Sequence, residues 1–252
     1  MELLILSHIL SDYYVQSDAI AQKKGKSIKF MLFHVIPVLL IHVIILYTFY
    51  GIKGLFSALW LSLFHVIIDI MSSGLLTFKL SKNKFINHVF DQILHLITMI
   101  IIYLMMLSGI EYTSWINQMM NINTYTSYGI QYITIITAIL FLLKPMRILI
   151  DDLLEESVGL IENSQELKKS YYLGYIERLI TFITVATFNY IFISALIAFK
   201  TWAQSDKLSK NINDFSKRYL IGTLASMLSA IAIAIIVIWY LQKTGFPLVK
   251  IE

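Results

Sequence analysis

Three histidine–aspartate pairs stand out in this chain: His8 with Asp12, His65 with Asp69, and Asp91 with His95, each four residues apart. On a helix that spacing puts both side chains on one face, one above the other. Each pair lies in an apolar run, where polar groups are costly unless they face a partner, water or an ion. Imidazole and carboxylate together are ordinary ligands of zinc, manganese or iron. The three pairs plus His34 exceed the three protein ligands of a usual catalytic zinc and suit one or two divalent transition-metal ions, zinc first among them. Two ions about 3.5–4 Å apart can activate water and clamp a phosphoryl or acyl oxygen. The expected metal ligands are His8, His34, His65, His95, Asp12, Asp69 and Asp91. The three aspartates are also the expected general bases, or else partners that orient a ligating histidine.

The surrounding composition decides what holds these residues. Of 252 residues, 58% are hydrophobic and 14% charged, and the mean hydropathy is +0.72. A soluble domain carries roughly a quarter of its residues charged. Several apolar runs reach about 20 residues, enough to cross a bilayer. The expectation is an all-α, polytopic transmembrane bundle of about seven spans. No cysteine occurs, which removes disulfides, thiolate sites and cysteine nucleophiles. The net charge of +4 suits cytoplasmic loops and anionic lipid better than nucleic acid. Ala19-Ile20-Ala21 has the form of a cleavage site. The stretch before it lacks a basic start and is interrupted by Ser7, His8, Ser11 and Asp12, so it is expected to remain as a helix.

In chain order, a short first segment (1–20) precedes a basic connector with Lys23, Lys24, Lys26 and Lys29. A second span (30–50) carries His34, His42 and Pro37, where a kink is expected. Gly51 to Gly54 turns the chain into a third span (55–71), and a loop with Lys79, Lys82 and Lys84 leads to a fourth (85–107). A fifth (129–143) continues as an amphipathic segment near 144–172, a sixth is expected over 173–199 and a last over 219–241. The pattern divides into 1–107, which bears the histidines and aspartates, and 108–252, which adds further membrane helices. Basic connectors after the first and third spans place both on the cytoplasmic side and the N-terminus outside. Continued alternation puts 200–218 outside, against its own basic character.

An up-down bundle brings the end of one span and the start of the next to the same side. Asp12, His34, the His65/Asp69 pair and the Asp91/His95 pair all then fall near the cytoplasmic end. All six histidines lie at or before position 95, at 8, 34, 42, 65, 88 and 95. Gln16, Gln92 and Lys23 are the expected substrate contacts, the lysine offering charge to an anionic group. His42 is about 12 Å deeper than His34 and is expected to pack or handle protons. His88 is expected at the interface. Glu177 and Arg178 read as an adjacent charge pair at an interface, at a depth within reach of the site.

The stretches "SHILSDYYVQSDAIAQKK", "LFHV", "FHVIIDI" and "FDQILHLIT" resemble a bacterial integral-membrane family catalogued as domain of unknown function 3307. The family pattern H-x-x-x-D-F-x-x-Q, an isolated His, H-x-x-x-D and D-Q-x-x-H falls on His8, Asp12, Gln16, His34, His65, Asp69, Asp91, Gln92 and His95. Tyr13 stands where the family commonly has Phe. "GYIERLI", Lys200 and "YLIGTLAS" are similar to longer members. A looser similarity runs to the predicted membrane-bound metal-dependent hydrolases. The resemblance implies a multi-pass protein of the bacterial cytoplasmic (inner) membrane, in contact with lipid.

The leading functional expectation is metal-dependent hydrolysis of a lipid-linked or phosphorylated, anionic substrate at the cytoplasmic leaflet. Two alternatives use the same sequence differently. One is a metal-ion or proton-coupled transporter, which needs polar residues across the whole bundle. The other is a membrane scaffold or sensor whose loops recruit a partner.

Overall fold

Every regular element is a helix, and no strand occurs among the described residues. The computed structural model describes residues 1–16, 20, 28–72, 83–119, 128–159, 164–205 and 214–246. Lys23, Lys24, Lys26, Lys79 and Lys82 lie outside the described residues. The chain divides into two units, Met1–Thr137 and Ala138–Glu252.

In the first unit, helix α1 (Glu2–Ile9) runs directly into a π-helical stretch, Leu10–Val15. Together these residues reach about 21 Å at 1.5 Å per residue, short of a bilayer core of about 30 Å. The next element, Ile28–Ser72, is a hairpin of two helical arms, α2 (28–50) and α3 (52–72), joined at Gly51. Gly51 has φ 61° and ψ −138°, a combination that a Cβ strongly disfavours. Contacts across the hairpin close in on that residue. His34 meets His65 far from the turn, and His42 meets Ser62 nearer to it. At the turn Gly54 packs on the Leu46 carbonyl. Pro37 lies within α2, yet the one break in helical dihedrals over Ile28–Ser72 is Gly51. Carbonyls left over at the end of α2 need partners. Thr113 supplies two: its N–H reaches Phe49 O at 2.9 Å and its hydroxyl reaches Thr48 O at 2.9 Å. The Tyr112 ring packs on Phe49 and Tyr50. These contacts tie 108–113 to the hairpin, so the first unit extends past position 107.

Helix α4 (Lys84–Ile102) begins at Asn83, whose side chain accepts from Ile86 N at 3.0 Å and caps the first turn. It ends in a π-helical turn, Tyr103–Leu107. The end of the unit beside Gly51 is apolar, filled by Leu3, Leu4, Leu46, Leu61, Met99 and Ile102. A short helix, α5 (Ser114–Met119), follows.

Helix α6 (Gly129–Val158) joins the expected fifth span and its amphipathic continuation in one element. Gly159, at φ 93°, ends it. The expected sixth span is broken. Helix α7 (Ser164–Ala186) stops in a turn, and α8 (Ile191–Ala203) starts afresh. Phe188 takes φ 60°, while Phe188 N bonds Val185 O at 3.1 Å and Asn189 N bonds Thr184 O at 2.9 Å. This is the paired-bond helix stop in which glycine is usual; here a phenylalanine fills it. Helix α9 (Asp214–Lys243) packs on α7, where Ser226 accepts from Arg178 Nη1 at 3.3 Å; Ser226, Ala230 and Ala234, spaced by four, are small and buried.

Among the described residues four elements are long and apolar enough to cross a membrane: Lys29–Ser72 (the hairpin), Lys84–Leu107, Gly129–Val158 and Phe215–Lys243. The expected second and third spans are the two arms of the first of these. Their outer faces carry exposed large apolar residues, among them Leu40, Ile44, Leu63, Ile97, Leu228 and Ile235. Apolar surface on that scale belongs in lipid. The chain is an all-helical membrane protein.

Candidate metal centre

Helix α1 with its π-helical extension, both hairpin arms and α4 deliver the site residues to one place. Asp69 is the middle of it and is fully buried. Its Oδ2 lies 2.6 Å from His34 Nε2 and 3.4 Å from His65 Nε2, and those two nitrogens are 3.1 Å apart. Asp12 Oδ1 lies 3.6 Å from each of them. Ligand atoms about 2.0–2.1 Å from a tetrahedral zinc sit about 3.3–3.4 Å from one another. The separations here bracket that value.

A second group shares Asp69. Its other oxygen, Oδ1, lies 3.9 Å from His95 Nε2, which is also 3.8 Å from Asp91 Oδ2. His8 stands between the groups, its ring centroid 5.3 Å from that of His65 and 4.8 Å from that of His95. His8, His34, His65 and His95 are each at most 5% exposed. Three overlapping sets have the composition and spacing to hold an ion: His8/His65/His95, Asp12/His34/His65 and Asp69/Asp91/His95.

Two of the three pairs meet as their spacing predicts, His65 with Asp69 and His95 with Asp91. The first does not. His8 Nε2 faces Gln92 Oε1 at 3.4 Å, and Asp12 faces His34 and His65. Gln92 also donates through Nε2 to Asp91 Oδ2 at 3.0 Å. It therefore links His8 to Asp91, where a substrate contact was expected. Gln16 is buried at the extended residue that closes the π stretch. Lys23, the third expected substrate contact, lies outside the described residues.

His42 is fully buried, with Nδ1 3.0 Å from Ser62 Oγ and its ring edge-on to His65. His88 is half-buried and pairs with the Tyr13 hydroxyl at 3.3 Å. Neither Ser62 nor Tyr13 is identifiable from type and spacing alone, since each gains its partner only through tertiary packing.

Glu177 and Arg178 do not pair with each other. Both are 3% exposed in the second unit. Glu177 Oε2 accepts from Lys200 Nζ at 2.7 Å, and Lys200 also reaches Thr223 Oγ1 at 2.8 Å. Arg178 Nε donates to Leu142 O at 2.6 Å. Adjacent helix positions point about 100° apart, so each finds its own partner. Arg178 reaches Leu142 O and Leu143 O, three and two residues before Pro145 in α6.

Residues 1–123, which include the whole cluster, match a family described as "Protein of unknown function (DUF3307)". The match covers the histidine and aspartate pattern, while "GYIERLI", Lys200 and "YLIGTLAS" lie beyond it. No curated protein and no solved structure matches the chain.

Proposed function

We propose that this protein is a membrane-embedded, metal-dependent hydrolase acting on a lipid-linked or phosphorylated substrate at the cytoplasmic leaflet of a bacterial inner membrane. The observation that carries this reading is the convergence of His34 Nε2, His65 Nε2 and Asp69 Oδ2, with separations of 3.1, 2.6 and 3.4 Å. Three protein ligands leave a zinc ion one open position, where a bound water's pKa falls toward about 7. Asp12 is placed to receive that water's proton. Its Oδ1 is equally far from both imidazole nitrogens, and its side chain keeps 8% exposure where Asp69 keeps 1%.

A transporter using the same residues needs polar groups on toward the other face. Beyond His42 and Ser62 the buried side chains among the described residues are mainly apolar, Leu46, Leu61 and Met99 among them, with Ser57 bonded to Lys53 O and Tyr50 packed beside Tyr112. That favours chemistry entered from one side. The test is a headgroup-release assay on native lipid extracts. Metal-dependent product from wild type, lost in Asp12→Asn, supports the reading. No product from wild type, together with metal or proton flux in proteoliposomes that Asp69→Asn blocks, would move the protein to the transporter class.

A further inference from the structure

Asp69 directs its two oxygens at different histidines, Oδ2 at His34 and His65 and Oδ1 at His95. We infer that it bridges two divalent cations. The first is held by His34, His65 and Asp69 Oδ2, and the second by Asp69 Oδ1, Asp91 Oδ2 and His95 Nε2. This rests on the hydrolase reading for the first ion and adds a second site with its own ligands.

Three observations point to the second ion. His95 is 3% exposed, and its Nε2 makes no hydrogen bond among the described residues. A buried ring nitrogen left in that state loses its hydration without recompense. The nitrogen nevertheless faces two carboxylate oxygens at 3.8 and 3.9 Å, too far for hydrogen bonds. A cation with bonds of about 2.0–2.2 Å fits between atoms spaced this way, at a wide ligand angle. Lastly, Gln92 holds Asp91 by donating to Oδ2 at 3.0 Å, while its carbonyl oxygen faces His8 at 3.4 Å. The amide thereby fixes the orientation of a carboxylate and a histidine on either side of the second site, the usual work of groups that support metal ligands.

The two sets differ in chemistry. The first offers two imidazoles and one carboxylate oxygen, the second one imidazole and two carboxylate oxygens. Oxygen-rich sets favour harder ions such as manganese or magnesium. Asp91 is the most accessible carboxylate of the cluster, its side chain 16% exposed against 1% for Asp69. The second ion therefore lies on the side from which substrate arrives. With two ions bound, the pair would suit displacement at phosphorus, in which water forms the new P–O bond, the ester P–O bond breaks, and the proton the water gives up goes to the departing alcohol. The substrate class is a phosphoester.

The test uses the full chain purified in detergent, stripped with chelator, loaded with manganese chloride and desalted. Bound manganese is counted by elemental analysis, and its spectrum is read by electron paramagnetic resonance. Two ions per chain with a spin-coupled multiline signal are expected. His95→Ala should hold one ion with an uncoupled six-line signal. A wild type that holds one ion with a six-line signal overturns the second site and leaves the first standing. A wild type that holds none overturns both. Should His95→Ala fail to fold, the wild-type count and spectrum decide the matter alone.

Discussion

Asp69 on one arm of the hairpin meets His34 on the other, Oδ2 to Nε2, at 2.6 Å. The contact joins residues 35 positions apart in the chain and sits where both side chains are at most 1% exposed. Asn at position 69 keeps the shape and removes the charge. The expectation is that wild type gains thermal stability from zinc and Asp69→Asn does not. A ligand at 100 times its dissociation constant stabilises by about 2.7 kcal/mol, readable as a shift in Tm. An equal shift in the variant would remove Asp69 from the metal site.

Asp12 has a different expected part. It approaches the open side of the first set at 3.6 Å from both nitrogens. Asp12→Asn should keep metal content near that of wild type and lower kcat by about 10²–10⁴, the usual worth of a general base. Loss of metal together with activity would make Asp12 a ligand.

The hairpin that creates these contacts depends on two glycines for different reasons. Gly51 needs its dihedrals, and an alanine there costs about 1–3 kcal/mol. A Cβ on Gly54 would overlap the Leu46 carbonyl, and backbone cannot yield as a side-chain tip can. Gly54→Ala should therefore destabilise more than Gly51→Ala. It should also weaken metal retention, since His34 and His65 sit on opposite arms. Unfolding in detergent and elemental analysis of both variants check the order.

The cluster was legible because depth and residue type are written in the sequence. His34, His65, Asp69, Asp91 and His95 come from apolar runs whose ends a bundle must bring together. The contact of His8 with Gln92 was not legible, because residues 84 positions apart meet only through tertiary packing. The break at Phe188 escaped for another reason. An apolar run of suitable length reads as one span, and the residue in the left-handed position is a phenylalanine where glycine would have announced it. Glu177 and Arg178 were readable as charges near a membrane, but their partners Lys200 and Leu142 arrive only when α7 packs on α8 and α6.

The Glu177–Lys200 pair carries the last prediction. Helix α8 has no buried residue of its own; this contact, the bond from Lys200 to Thr223 and the 2.9 Å contact of the Thr201 and Tyr219 hydroxyls attach it to α7 and α9. Lys200→Met removes one charge and strands the Glu177 carboxylate, whose Oε1 already lacks a hydrogen bond. Breaking a buried pair from one side costs about 3–5 kcal/mol. The double variant Glu177→Leu/Lys200→Met replaces the pair with apolar groups of similar size and leaves no buried charge, the Thr223 hydroxyl losing one bond. It should recover most of that loss and leave metal content unchanged. Unfolding of the single and double variants, read as a double-mutant cycle, gives the coupling directly. A double variant as unstable as the sum of its singles would show that the two charges contribute independently and that α8 is held in place by something else.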